Sequence, residues 1–71
     1  MPLIQVQVIE GVFDADEKAA IIEKLTDAMV SVEGEVMRPV TWVTVQEVPS
    51  GQWGIAGKAM TTGDVVGMRQ S

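Results

Sequence analysis

The stretch Met1-Pro2-Leu3-Ile4-Gln5-Val6-Gln7-Val8-Ile9 decides how the chain is read. Ile4, Val6 and Val8 are apolar and Gln5 and Gln7 alternate with them, which is the two-residue period of a β-strand with one fully apolar face. Glu10-Gly11 ends that strand. A proline stands directly before it. Removal of an initiator Met ahead of a small residue such as Pro is expected to leave a secondary amine at the strand's start. A free α-amino group titrates near ~8, and burial disfavours its cation, so a neutral, basic form can be populated near neutral pH. The Pro2 amine is the chain's foremost candidate for chemistry.

Working outward, Asp14 and Glu17 form an Asp-x-x-Glu pattern, an N-cap with an acidic residue in the first helical turn. The helix predicted to follow places Ile21, Ile22, Leu25, Ala28, Met29 and Val32 on one stripe, with Lys18, Glu23, Lys24 and Asp27 off it. Gly34 is a natural stop. Residues 35–39 read as a short connection, because Pro39 disfavours continued helix. Residues 40–48 alternate again, with Thr41, Val43 and Val45 on one face and Trp42, Thr44 and Gln46 on the other. Strand, helix, strand is a β-α-β unit with parallel strands, whose helix covers Ile4, Val6, Val8, Val43 and Val45. After the turn at Pro49-Ser50-Gly51, residues 53–56 read as a short strand or hairpin arm, and residues 61–71 as a loosely ordered terminus. The expectation is one domain over residues 1–71 of α+β (α/β) class, with a core at 1–58 and a C-terminal tail at 59–71.

Seventy-one residues bury only ~60% of their unfolded surface, so one copy is marginal alone. With no Cys and no His, neither disulfides nor a zinc site can help, and oligomerisation is the remaining route. The net charge of −5 arises from ten acidic and five scattered basic residues, with no basic stripe for nucleic acid. No apolar run approaches a membrane span and no secretory leader is visible, so a cytoplasmic protein is expected. Ser-His and Cys-His nucleophiles are excluded within the chain, and no metal or cofactor is expected. Gly51-x-x-Gly54-x-x-Gly57 has no following Lys-Ser/Thr and opens no helix, which argues against a phosphate loop. An isolated amine in an apolar pocket suits proton transfer on carbon next to a carbonyl, or iminium formation with an aldehyde or ketone.

Parallel strands start at the same sheet edge. Pro2 therefore lies near residues 40–42, and Gly11-Val12 roughly 20 Å away at the other end. A pocket containing both Pro2 and Val12 needs two subunits.

Met-Pro with its alternating apolar residues is joined by Ile9-Glu10-Gly11, Asp16-Glu17-Lys18, Val45-Gln46-Glu47 and Trp53-Gly54-Ile55-Ala56-Gly57. Together these segments, spanning Pro2 to about Lys58, resemble the 4-oxalocrotonate tautomerase branch of the tautomerase superfamily. The resemblance implies a β-α-β subunit, commonly six to an assembly, and an amino-terminal proline acting as general base, general acid or nucleophile. Pro2 takes the catalytic position. Trp53 falls where the family has a pocket-wall aromatic, usually Phe, that lowers the amine's pKa, and Ile9 matches an apolar wall position. Two arginines that bind the carboxylates of a 2-oxo diacid in the type enzyme are replaced here by Val12 and Trp42. Charge-assisted hydrogen bonds are worth roughly 1.5–3 kcal/mol each, and an oxyanion stabiliser about 100-fold or more in rate. Efficient dicarboxylate isomerisation is therefore not expected, and the pocket should suit an uncharged or aromatic carbonyl compound. Arg38, four positions before Trp42, is either a substitute electrophile or a surface cation.

The leading expectation is a Pro2-dependent tautomerase-like enzyme acting on a small carbonyl substrate as a homohexamer. The alternatives are the Pro2-bearing subunit of a hetero-oligomeric tautomerase or dehalogenase-like enzyme, whose paralogous chain supplies arginines, and a non-catalytic oligomeric binding protein.

Overall fold

The computed structural model describes residues 1–70, so Ser71 of the expected tail lies outside the described residues. The elements are β1 (Leu3–Ile9), α1 (Ala15–Glu33), a 3-10 turn (Glu35–Val40), β2 (Trp42–Val48), β3 (Trp53–Ile55), β4 (Lys58–Met60) and α2 (Thr62–Arg69).

β1 and β2 pair in parallel from Leu3 opposite Trp42 to Ile9 opposite Val48. The ladder continues at both edges, where the Trp42 N–H donates to the Pro2 carbonyl at 3.0 Å and the Glu10 N–H to the Val48 carbonyl at 2.8 Å. Alternation sorts the side chains as read from the sequence. Ile4, Val6, Val8, Val43 and Val45 are half-buried, while Leu3, Gln5, Gln7, Trp42, Thr44 and Gln46 are exposed on the opposite face.

α1 begins at a capping box: the Glu17 N–H donates to Asp14 Oδ1 at 2.7 Å, and the Asp14 N–H donates to Glu17 Oε1 at 3.1 Å. It packs against β2 and ends at Gly34, whose φ of 104° few other residues tolerate. Its buried stripe differs from the expected one at the C-terminal end. Val32 is 85% exposed, whereas Val30, left off the stripe, is only 5% exposed. Nineteen residues make a helix of about 28 Å, longer than the ~23 Å of a seven-residue strand. α1 contacts the 3-10 turn as well as β2, so the sheet's periodicity alone does not decide which flank of the helix is buried. Val40 and Thr41, expected in the second strand, belong to the 3-10 turn and its cap.

β3 and β4 form an antiparallel hairpin with Trp53 opposite Met60 and Ile55 opposite Lys58. Its two-residue loop, Ala56-Gly57, has φ of 52° and 81°. Positive φ at both positions is the type I′ geometry that matches strand twist. The expectation of a loosely ordered terminus is corrected: residues 62–69 are helical. The Thr61 N–H donates to Asp64 Oδ2 at 2.9 Å and the Asp64 N–H to Thr61 Oγ1 at 3.1 Å, a second capping box.

The radius of gyration is 14.6 Å and the extents are 42 × 23 × 17 Å. A compact chain of this length would have a radius of about 11 Å. Among the described residues only Ile9, Val12 and Val30 are buried, while Leu3 and Trp42 remain 53% and 55% exposed. No described helix is long and apolar enough to cross a membrane.

Gly11 has φ of 79°, and a Cβ built there would lie 3.0 Å from Thr62 Cγ2. Gly11→Ala should therefore cost about 1–3 kcal/mol through left-handed backbone strain and the displacement of α2. Ala56→Asn should lie at or above wild type, since Asn tolerates left-handed φ better than Ala. Urea midpoints of the two variants check both signs.

Candidate active site

The expected site residues fall at two opposite ends of the parallel sheet. At the edge where both strands begin, Pro2 is half-buried and its carbonyl is held by the Trp42 N–H. Leu3 and Trp42 are cross-strand partners beside it, and both are exposed on the open face. The geometry reproduces the expected juxtaposition of Pro2 with the start of β2, and it surrounds that edge with apolar surface.

Arg38 precedes β2 at the same edge, but its guanidinium is committed. Nε donates to Glu35 Oε1 at 2.6 Å, Nη1 to Asp27 Oδ1 at 2.8 Å, and Nη2 to Glu35 Oε2 at 3.4 Å. Glu35, then Asp27, holds its pKa above the ordinary guanidinium value, and the same hydrogen bonds hold the Glu35 carboxyl below the usual range. In this chain Arg38 ties the 3-10 turn to α1.

The other end of the sheet holds a cavity of about 380 Å³. Ile9 and Val12, both buried, line it from the end of β1 and the turn beyond. The hairpin contributes the cross-strand pair Trp53 and Met60, and α2 contributes Val65 and Met68. The structure thus brings Ile9, Val12 and Trp53 together, with Phe13 and Ile55 completing the apolar wall, and Gln7 and Arg69 as its polar members. Pro2, Arg38 and Trp42 do not line this cavity.

Hydrogen bonds around Glu10 and Gly11 hold the cavity walls in place. Thr62 Oγ1 donates to the Glu10 carbonyl at 2.6 Å, the Ser50 N–H to Glu10 Oε1 at 3.0 Å, and the Thr62 N–H to Ser50 Oγ at 2.9 Å. Glu47 is held between Lys18 Nζ at 3.1 Å and the Gly11 N–H at 3.4 Å, and the lysine, then the amide, depresses its pKa. Arg69 donates from Nη1 to the Val12 carbonyl at 3.0 Å and from Nη2 to Glu17, and its guanidinium carbon sits 4.8 Å from the centroid of Phe13. Arg69 lowers the Glu17 pKa, with a further contribution from the Asp14 N–H. Isolated exposed ion pairs contribute little stability. Their service here is positional, because they join α1 to β2 and to α2.

Sequence reasoning missed Phe13, Met60, Val65, Met68 and Arg69. The available signal was the Thr61-x-x-Asp64 capping pattern, which predicts that the segment after it folds back as a helix. Among the described residues no cluster of acidic groups could hold a metal ion.

With this geometry in view, comparisons with known proteins agree with one another. Residues 2–63 match the family described as tautomerase enzyme. Over 57 residues the chain is 47% identical to a 2-hydroxymuconate tautomerase of Pseudomonas putida, covering 80% of this chain and 87% of that one. Among solved structures, one of the 4-oxalocrotonate tautomerase isozymes from Methylibium petroleiphilum superposes with a TM-score of 0.74 at 36% identity, covering 82% of this chain and 90% of that one. A 4-oxalocrotonate tautomerase homologue in the tomaymycin biosynthetic pathway superposes with a TM-score of 0.74 at 32% identity, covering 97% and 94%.

Glu47 provides a pH test. Its folded pKa is depressed, so its stabilising contribution is fully present above the unfolded carboxylate's range near ~4.3 and is lost as pH falls through the lower folded value. The difference in urea midpoint between wild type and Glu47→Gln should be largest near pH 6 and shrink as pH drops below about 4. A difference that grows on acidification contradicts the sign.

Proposed function

The chain belongs to the tautomerase family, an enzyme of isomerase type, and from that premise we propose that the Pro2 amine, freed by removal of Met1, moves a proton on carbon next to a carbonyl group. The observation that carries this reading is the hold on Pro2: its carbonyl accepts the Trp42 N–H at 3.0 Å at the first rung of a parallel sheet. The ring is thereby fixed at a strand terminus beside the apolar pair Leu3 and Trp42. Low-dielectric surroundings favour the neutral amine, and a fixed base within hydrogen-bond reach of its substrate typically contributes about 10²–10⁴-fold in rate.

The chemistry is a paired transfer. The neutral amine takes a proton from carbon, the C–H electron pair passes into an enolate, and the ammonium returns the proton to the enolate oxygen to give the enol. The product is an isomer and the amine is regenerated. Val12 and Trp42 support a substrate with an apolar or aromatic body over a dicarboxylate, and Ile9 and Trp53 supply matching walls. Pro2 and the cavity lie at opposite ends of one sheet, so the complete site joins Pro2 of one chain to Ile9, Val12 and Trp53 of another. The uncovered Leu3 and Trp42 surface and the extended shape support such an assembly, either a homohexamer or a hetero-oligomer with a paralogous chain.

Phenylpyruvate, an enolisable 2-oxo acid, is the probe. Wild type, with Met1 shown absent by intact mass, should accelerate its keto–enol exchange, and Pro2→Ala should lose about 10²–10⁴-fold. Equal activity in the two proteins sinks the proposal.

A further inference from the structure

The cavity at the far end of the sheet is apolar on nearly every side, and its polar exceptions are Gln7 and Arg69. Arg69 also borders a second cavity of about 380 Å³, lined with Gly11, Val12, Val66 and Gln70. Arg69 therefore borders both recesses, at the end of a helix whose N-terminus is pinned by a capping box. Three contacts fix its plane: Nη1 on the Val12 carbonyl at 3.0 Å, Nη2 on Glu17, and the Phe13 ring at 4.8 Å. A guanidinium carries five N–H donors in a rigid fork. The two hydrogen bonds use one proton on each Nη, leaving the Nε–H and the second proton on each Nη without an acceptor among the described residues. The side chain is 48% exposed, so an incoming anion can reach those donors.

Charge adds to the case. Among the described residues Arg69 pairs with a single carboxylate, Glu17, whereas Arg38 is engaged by both Asp27 and Glu35. Glu17 also accepts the Asp14 N–H through its other oxygen, so its negative charge is shared with the start of α1. A planar cation with spare donors, bordering a recess whose other polar member is Gln7, fits a ligand with one anionic group and an apolar body.

Building on the proposed function, we infer that Arg69 is the anion-binding residue of the site, and that it selects substrates bearing a single carboxylate on an apolar or aromatic body. α2 thereby places a cation against the carbonyl of residue 12, a position whose own side chain, Val12, offers no charge.

Calorimetric titration with phenylacetate, an unreactive monoanion, tests this without requiring turnover, and phenylacetamide is its uncharged counterpart. Phenylacetate should bind wild type, and Arg69→Gln should weaken it roughly tenfold or more while changing phenylacetamide binding less than about twofold. Arg69→Lys, which keeps the charge and loses the fork, should retain more binding than Arg69→Gln. Glu17→Gln preserves the capping box, because Gln serves at that position, and removes the competing carboxylate; it should bind phenylacetate at least as tightly as wild type. The inference is overturned if wild type does not bind phenylacetate, if Arg69→Gln binds it as well as wild type, or if Arg69→Gln and Glu17→Gln weaken both compounds alike, which is the mark of a purely structural strap. Undiminished proton transfer by Pro2→Ala, with phenylacetate binding still dependent on Arg69, counts against the proline reading and leaves the anion site standing.

Discussion

The parallel pairing of β1 with β2 is the constraint on which everything else depends. In parallel strands both beginnings share one edge and both ends share the other. That rule places Pro2 beside Trp42, joined by the hydrogen bond at 3.0 Å, and sends Ile9 and Val48 to the opposite edge. It also demands a long crossover, which α1 supplies, and the excess length of α1 over the strands determines where the 3-10 turn must fold back. An antiparallel pair would have put the start of β2 beside the Gly11 turn, whereas the length of β1 alone keeps the chain's start and that turn apart. Here their separation means that no single copy can put a Pro2 amine against the wall formed by Ile9, Val12 and Trp53.

The same rule explains why so little is buried. A two-stranded sheet has one face for α1 and one face left over, and Leu3 and Trp42 occupy the latter. Three buried side chains among the described residues do not make a core able to offset the chain entropy of seventy-one residues. The exposed face is thus both a deficit in the isolated chain and a surface available for association.

Much of the frame was legible in the sequence, because β1, α1 and β2 are long enough for periods of two and of about 3.6 to declare themselves. Asp14 and Gly34 marked the ends of α1 by their capping chemistry. The errors lie where tertiary contact decides between equivalent choices: Val30 and Val32 are both apolar and both near the helix end, and only the packed fold distinguishes them. The hairpin was half visible. Its Ala56-Gly57 turn lacks the Asn-Gly or Asp-Gly signal that type I′ geometry normally shows, so β4 went unread. α2 was invisible to composition, since Gly63 and Gly67 lower helix propensity over only eight residues, and its packing on Phe13 and Val12 is a long-range contact. Of the cavity, Ile9 and Trp53 were legible as matches to the family the chain resembles, and Val12 as a departure from it. Arg69 was not, because its placement depends on that late helix folding back.

The second capping box separates frame from wall. The register of β1 and β2 is set before residue 49, whereas α2 hangs from Thr61, Ser50 and the Glu10 carbonyl at the molecule's edge. Substitutions along α2 can therefore alter the size and charge of the recess while leaving the proline and the sheet untouched. The last eight helical residues form a replaceable panel, and a lineage could retune ligand preference there one side chain at a time without re-solving the fold.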